Sequence, residues 1–309
     1  MANGKSADED GAVIELLKSA SVDFLILLLE QYNSVLANFE PDPKWLEVLF
    51  QMLPKSGNLQ NPQNWRPIAI LDIFYKVFAK IIALRIHPIL ESHQDDDSFG
   101  FRPGKRIDDV FCILEDLTAK ANEWSLPLWI VSLDLSKAFD RVDHEALFAA
   151  LAENGIPQNM LMLIRRLYAK QIGRVDDSKQ FPIERGVKQG DILSPMLFNA
   201  VMQVLLQKWK QRVPDMGWLV DVNLPRLQAT RFADDVILYA RSRAEAEEML
   251  SLFAIELRSM GLQLNMKKTN ILTNDISRDD HDCISYANIL NDFIKILLSS
   301  NCHRFVGKK

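Results

Sequence analysis

Two apolar, β-branched stretches, Leu227 to Phe232 and Val236 to Ala240, are separated by only Ala233, Asp234 and Asp235. A linker that short permits an antiparallel hairpin and nothing else, because a parallel pair needs a crossover of about a dozen residues. A third stretch, Leu128 to Asp134, is equally apolar, follows Pro127 and ends in a carboxylate, which predicts a buried strand. Elsewhere the apolar residues recur at helical spacing. Helices are expected over Ala12 to about Asn38, stopped by Pro41-Asp42-Pro43; from Asp72 as cap to about Leu90; over Ile107 to Asn122; and over Asp143 to Glu153. Further helices are expected after Gly155-Ile156-Pro157 to about Lys170, from Ser194-Pro195 to about Val213, and over Arg243 to Met260 before Gly261. The stretch between Pro43 and Asp72 reads as a loop, and strands are expected at Phe293 to Leu298 and Arg304 to Val306. Helices first, then strands separated by helices, predict an α+β chain.

Composition supports a packed chain: of 309 residues, 48% are hydrophobic and 25% charged, which excludes disorder throughout. The longest apolar run near the N-terminus, Phe24 to Leu29, is flanked by Asp23 and Glu30 and is far short of the roughly 20 residues a membrane span needs. An acidic start speaks against a signal peptide. Cys112, Cys283 and Cys302 lie far apart without metal or disulfide spacing, so an intracellular, reducing setting is expected. The net charge of −5 argues at first against a nucleic-acid partner. Acid is concentrated, however, in residues 1–49 and 275–292, while residues 160–215 carry ten Lys or Arg against five acids. Charge therefore allows a basic nucleic-acid surface without requiring one.

Three carboxylates stand out. Asp234 and Asp235 fall at the hairpin tip, where hard oxygen ligands could hold Mg²⁺ and leave sites for phosphate oxygens; an isolated Asp-Asp in a turn has turn propensity as its ordinary explanation. Asp134 ends the buried strand on the face shared by Ile130 and Ser132, and a charge there needs a partner. A salt bridge would serve, and so would a metal: three carboxylates on two neighbouring strand ends would form a divalent-metal cage suited to phosphoryl transfer. Asp95-Asp96-Asp97 reads instead as a solvated acidic turn. His87, His93 and His144 have no spacing that suggests zinc or acid–base work.

The segments Leu133-Asp134-Leu135-Ser136-Lys137-Ala138-Phe139-Asp140, Arg185-Gly186-Val187-Lys188-Gln189-Gly190-Asp191-Ile192-Leu193-Ser194-Pro195, and Phe232-Ala233-Asp234-Asp235 resemble three successive blocks of reverse transcriptases. The version is closest to those of non-LTR (LINE-type) retrotransposons, with group II intron enzymes as cousins. Leu53-Pro54-Lys55-Ser56-Gly57 with Asn64-Trp65-Arg66-Pro67-Ile68, and Phe99-Gly100-Phe101-Arg102-Pro103-Gly104, are similar to earlier blocks. Gly261-Leu262-Gln263-Leu264-Asn265 with Lys267-Lys268-Thr269, and His303-Arg304-Phe305-Val306-Gly307, resemble later ones, with Val306 where the family usually has leucine. Seven blocks stand in the family's order.

The resemblance implies a right-hand polymerase-like fold with fingers and palm, the palm an antiparallel sheet backed by helices, and no thumb within the chain. It implies residues 1–45 as an N-terminal helical extension, 46–125 as a fingers-like region, and 126–273 as palm with fingers elements inserted at about 155–190. Residues 274–309 would be an acidic linker and a primer-grip-like hairpin. By the same resemblance Asp134, Asp234 and Asp235 are catalytic, and two Mg²⁺ ions, with Mn²⁺ as a substitute, are bound by Asp134, Asp234, Asp235 and the backbone carbonyl of Leu135. Nucleotide contacts would come from Lys55, Arg66, Gln189, Gly190 and Lys268, with Phe139 as a gate against a 2′-hydroxyl; apart from the motif, Phe139 reads as a core residue and the lysines and Arg66 as solvated charges. The partners implied are an RNA template, a DNA primer and deoxynucleoside triphosphates, with no membrane. The function expected is RNA-directed DNA polymerisation. The alternative is a non-catalytic nucleic-acid-binding remnant of a truncated retroelement, and a template-independent nucleotidyltransferase would need no fingers blocks.

Overall fold

The computed structural model describes residues 1–55, 57–176 and 178–275. The elements run α1 (Ile14–Lys18), α2 (Val22–Asn38), β1 (Glu47–Pro54), β2 (Trp65–Ile70), α3 (Ile73–Ser92), α4 (Ile107–Glu123), β3 (Trp129–Leu133), α5 (Ala138–Arg141), α6 (His144–Glu153) and α7 (Gln158–Tyr168). They continue with β4 (Ile172–Val175), β5 (Phe181–Pro182), α8 (Ser194–Arg212), β6 (Ala229–Phe232), β7 (Asp235–Ala240), α9 (Arg243–Ser259) and β8 (Asn270–Thr273). The α+β class is as expected. Four of the helices, α2, α3, α6 and α9, begin where a side chain satisfies a free amide. Asp72 accepts from the Tyr75 amide at 2.8 Å to start α3, Asp143 from those of Glu145 and Ala146 to start α6, and Ser242 from that of Glu245 to start α9.

Two expectations need correction. The N-terminal helix is two helices, because the Ser21 hydroxyl accepts from the Phe24 amide and so starts a new one. The second ends at Asn38, as expected, with Phe39 in the left-handed region at φ 56. The stretch read as a loop contains the antiparallel pair β1 and β2, with Leu49 opposite Ile70 and Leu53 opposite Arg66. Pro67 is tolerated there because β2 is the edge strand of its sheet. The strands expected at 293–298 and 304–306, and Cys283 and Cys302, lie outside the described residues.

The chain divides into two compact units, residues 1–93 with 139–201, and residues 94–138 with 202–309. The first holds a mixed sheet ordered β2-β1-β4-β5, in which β1 and β4 are parallel and the other pairs antiparallel. Its interior includes α3, whose Tyr75, Phe78, Ala79, Ile82 and Ile86 are buried.

The second unit holds a wholly antiparallel sheet ordered β6-β7-β3-β8. Pairing of Ile130 with Tyr239 and of Ser132 with Ile237 puts these side chains on one face. There Ile130, Ile237, Tyr239 and Leu272 meet Val110, Leu114, Leu117 and Ala121 of α4. Residues 107–123, expected with the fingers-like region, therefore pack on this sheet, because the apolar stripe of α4 needs an apolar face to cover. Val131, Leu133, Val236 and Leu238 point the other way and are equally buried, and α9 lies against β3 and β7. Sheet faces covered on both sides explain why these strands read as continuous apolar runs.

Candidate active site

In the second unit, the β3–β7 ladder ends with Leu133 opposite Val236. Continued by one residue, that register sets Asp134 across from Asp235. The β6–β7 turn consists of Ala233 and Asp234 alone, since Phe232 pairs with Asp235, and Ala233 takes a positive φ of 60°. All three carboxylate residues are half-buried at the same end of one sheet. Among the described residues, no three or more His, Cys, Asp or Glu are gathered as a metal-holding group. The strands thus align the carboxylates without closing them into a cage, and like charges do not draw one another together.

Asp134 is held from the strand's other side. The Asn265 side-chain amide donates to Asp134 Oδ2 at 2.8 Å, and the Asn265 backbone N–H donates to the Asp134 carbonyl at 2.8 Å. Leu135, almost fully buried, forms a bridge with Leu264, and the Ser136 N–H donates to the Gln263 carbonyl. The segment 134–136 is therefore pinned to 263–265. Lys268 is exposed on the turn that follows, its N–H donating to the Asn265 carbonyl at 3.0 Å.

A brace supports the hairpin from residues 97–100. The Arg231 N–H donates to the Asp97 carbonyl and the Phe99 N–H to the Arg231 carbonyl, both at 2.9 Å, so 97–99 lies beside β6. Gly100 comes so close to the hairpin tip that a Cβ would stand 2.1 Å from the Ala233 nitrogen. Here the solvated acidic turn needs correction. Asp95 and Asp97 both pair with Lys210 of α8, at 2.8 and 2.5 Å, and only Asp96 of the three is exposed. Arg231, fully buried, donates to Gln94 Oε1 at 2.6 Å; burial lowers its pKa to about 10, against the upward pull of Asp97. Burial raises Asp97 above the usual carboxylate value although the Lys210 charge opposes it.

In the first unit, Lys55 and Arg66 come to one face of the β1–β2 hairpin. Leu53 is opposite Arg66 and the Lys55 N–H donates to the Asn64 carbonyl, which makes the two cations diagonal neighbours. Phe139 is half-buried and stacks on Phe198 with ring centroids 4.7 Å apart. Gln189 accepts at its carbonyl from the Ala69 N–H at 2.7 Å and donates through Nε2 to Asp140 Oδ1 at 3.2 Å. Gly190 has φ +111°, and a Cβ there would meet the Ala69 carbonyl at 2.9 Å. The sheet end with Asp134, Leu135, Asp234, Asp235 and Lys268 belongs to the second unit, and the other five sequence-predicted residues belong to the first.

Sequence reasoning missed Asn265 and Gly100 as supports of the carboxylates. Both fell within quoted blocks, but what each touches is distant in sequence.

An antiparallel sheet backed by helices, with carboxylates at a two-residue hairpin and at the adjacent strand end, defines a polymerase-like palm. Residues 53–307 match the family described as reverse transcriptase (RNA-dependent DNA polymerase), and the chain belongs to that family. It is 31% identical over 234 residues to the retrovirus-related Pol polyprotein from the type-1 retrotransposable element R2 of Popillia japonica, covering 74% of this chain and 32% of that protein. It is 30% identical over 220 residues to the corresponding polyprotein of the type-2 element R2DM of Drosophila melanogaster, covering 70% of this chain and 20% of that one. The chain thus spans about a third or less of these relatives. Apo telomerase from Candida tropicalis, truncated from its C-terminal domain, has the same fold over 77% of this chain and 52% of its own, with a TM-score of 0.58 at 14% identity. Among the described residues no helix is long and apolar enough to cross a membrane.

Proposed function

We propose that this chain carries out RNA-directed DNA synthesis for a non-LTR retrotransposon, adding deoxynucleotides to the 3′-hydroxyl of a DNA primer on an RNA template. The observation that carries this reading is the strand register that sets Asp134 opposite Asp235, with Asp234 at the adjoining turn, inside a reverse transcriptase family match. The donor chemistry fits divalent cations: hard carboxylate oxygens at neighbouring strand ends, one of them oriented by Asn265. Asp134, Asp234, Asp235 and the Leu135 carbonyl would hold two Mg²⁺, or Mn²⁺ in their place. When bound, the cations supply the positive charge that activates the primer hydroxyl and stabilises the leaving pyrophosphate. No Ser, Cys or His nucleophile is needed, because the attacking oxygen belongs to the primer.

The first unit's residues bind and orient the nucleotide in this reading. Lys55 and Arg66 present paired cations to a triphosphate. The Gln189 side chain and Gly190 lie against the nucleotide and template, the glycine allowing close backbone approach, Phe139 sets the sugar preference, and Lys268 of the second unit adds charge near the leaving group. The nucleic-acid-binding remnant is the weaker reading, since the acidic residues and the Gln189-Gly190 pair are all present.

Primer extension on an RNA template with the full chain tests the proposal. Asp134→Asn and Asp234→Asn are expected to abolish extension while circular dichroism stays unchanged. Extension by either purified variant would remove the metal role, and parental binding without extension would favour the remnant.

A further inference from the structure

The segment that carries Gln189 and Gly190 is a turn whose corners are buried ions. The Asp191 N–H donates to the Lys188 carbonyl at 3.2 Å, which closes a four-residue turn with Gln189 and Gly190 as its central pair. Gly190, at φ +111°, occupies the position where turns of this kind require a positive φ. The two corners go inward. The side chains of Lys188 and Asp191 are 2% and 0% exposed and their charged atoms are 3.9 Å apart, too far for a direct hydrogen bond.

Tyr75 of α3 joins them. Its hydroxyl donates to Asp191 Oδ2 at 2.7 Å and accepts from Lys188 Nζ at 3.3 Å. The ammonium also lies over the rings of Tyr75 and Tyr168, 4.6 and 5.4 Å from their centroids, a placement that a desolvated cation favours. Asp191 Oδ1 accepts from the Leu193 N–H at 3.3 Å. Burial lowers the Lys188 pKa against the pull of Asp191, and it raises Tyr75, which therefore stays protonated as a donor.

Taking two ions out of water is costly, and an apolar pair of similar volume would serve stability as well or better. What the ions add is direction: each satisfied donor and acceptor fixes one corner of the turn, so the central pair is turned away from the buried ions. Gln189 is accordingly half-buried and Gly190 exposed. We infer that Lys188, Asp191 and Tyr75 form a buried clamp that positions the Gln189-Gly190 turn for the incoming nucleotide. The three are positioning residues, and the inference rests on the nucleotide contact proposed above for the turn.

Tyr75→Phe is the sharpest probe, because it keeps the ring and removes only the hydroxyl that joins the two ions. Hydrogen exchange of peptides covering 185–192 in the full chain is expected to rise at least on the order of tenfold, since the hydroxyl's hydrogen bonds to both charged groups are lost. Peptides covering residues 78–92 should keep their parental rates. KM for deoxynucleotide should rise by a similar factor with kcat nearly unchanged. Gln189→Ala should raise KM as well, and combining it with Tyr75→Phe should add nothing further. A second variant, Lys188→Met with Asp191→Leu and Tyr75→Phe, replaces the ions and the hydroxyl that joins them by apolar groups. It should melt no lower than the parent and still show the raised exchange and KM. Parental exchange over 185–192 in both variants would overturn the clamp, as would effects of Tyr75→Phe and Gln189→Ala that multiply. A parental KM in Gln189→Ala would instead overturn the nucleotide contact, while the exchange rates still decide the clamp.

Discussion

Asn265 grips Asp134 at two points, its side-chain amide on Oδ2 and its backbone N–H on the carbonyl, each at 2.8 Å. One residue therefore fixes both where the strand ends and which way its carboxylate turns. Outer partners that orient a metal-binding carboxylate are typically worth about 10–100-fold in activity or metal affinity. Asn265→Ala is expected to lower kcat for primer extension by that factor and to raise the Mg²⁺ concentration needed for half-maximal rate. Asn265→Asp should do worse, since it sets a second carboxylate against the first. Parental magnesium dependence in Asn265→Ala would show that the Asp134 rotamer is held by other means.

Gly100 supports the opposite side of the same sheet end. A Cβ at this position would stand 2.1 Å from the Ala233 nitrogen and 2.8 Å from the Ala233 Cα, so backbone must move. Forcing a methyl into packed backbone costs about 1–3 kcal/mol, and the atoms that give way belong to the turn bearing Asp234. Gly100→Ala should lower the melting temperature and reduce extension by more than that loss of folded protein explains. The check is extension measured well below the melting point, where the variant is still folded; full activity there would mean that the hairpin is not displaced.

Legibility of these features in the sequence follows the range of the forces involved. The β6–β7 hairpin and β3 could be read because continuous apolar, β-branched runs, a very short linker and a terminal carboxylate are all local. The α4, α6 and α9 spans could be read from apolar spacing and caps. The β1–β2 pair could not, because Pro54 and Pro67 look like breakers until the strand's edge position is known. Strand β8, Asn270–Thr273, is short and polar at its first residue, and it exists through pairing with β3. Asp95 and Asp97 look like a solvated turn because their cation, Lys210, lies more than a hundred residues away. Asn265 and Gly100 are likewise defined by Asp134 and Ala233, partners that neither spacing nor propensity points to.

Phe139 provides a test of sugar selection. Its ring stacks on Phe198 at 4.7 Å and 16° between planes, and its carbonyl accepts from the Val187 N–H at 2.6 Å. The ring is thus held in one orientation by packing and by the backbone of the Gln189 segment. Phe139→Val loses a stacked pair worth about 0.5–1.5 kcal/mol, a tolerable loss for the fold. The preference for deoxynucleotides over ribonucleotides in kcat/KM should fall on the order of tenfold to a hundredfold, the range one pocket contact supplies. Sugar discrimination equal to that of the parent would return Phe139 to a purely packing role.

The brace under the hairpin should reveal itself through pH. Lys210 pairs with Asp95 and Asp97. Burial lowers its pKa, but the Asp97 charge and the hydrogen bonds it donates to both carboxylates outweigh burial and leave it above 10.5. A cation raised in the folded state contributes stability that is present below 10.5 and lost as pH rises through the folded value. Asp97 has the same sign at a lower pH: burial raises it above 3.8 despite Lys210, so its ionisation costs stability as pH climbs through that raised value. Asp95 falls below 3.8 because Lys210, Gln203 and Gln207 outweigh its burial, so its contribution is present above 3.8 and lost as pH falls through the folded value. Lys210→Met removes the compensating cation and should destabilise the chain at pH 7 by about 1–3 kcal/mol, the penalty for leaving a partly buried charge unpaired. That deficit should shrink as acid protonates first Asp97 and then Asp95, and should vanish in alkali above the Lys210 pKa. Urea unfolding midpoints of parent and variant at pH 4 and pH 7 measure the difference, and an equal deficit at both would assign the role of Lys210 to the packing of its aliphatic stem.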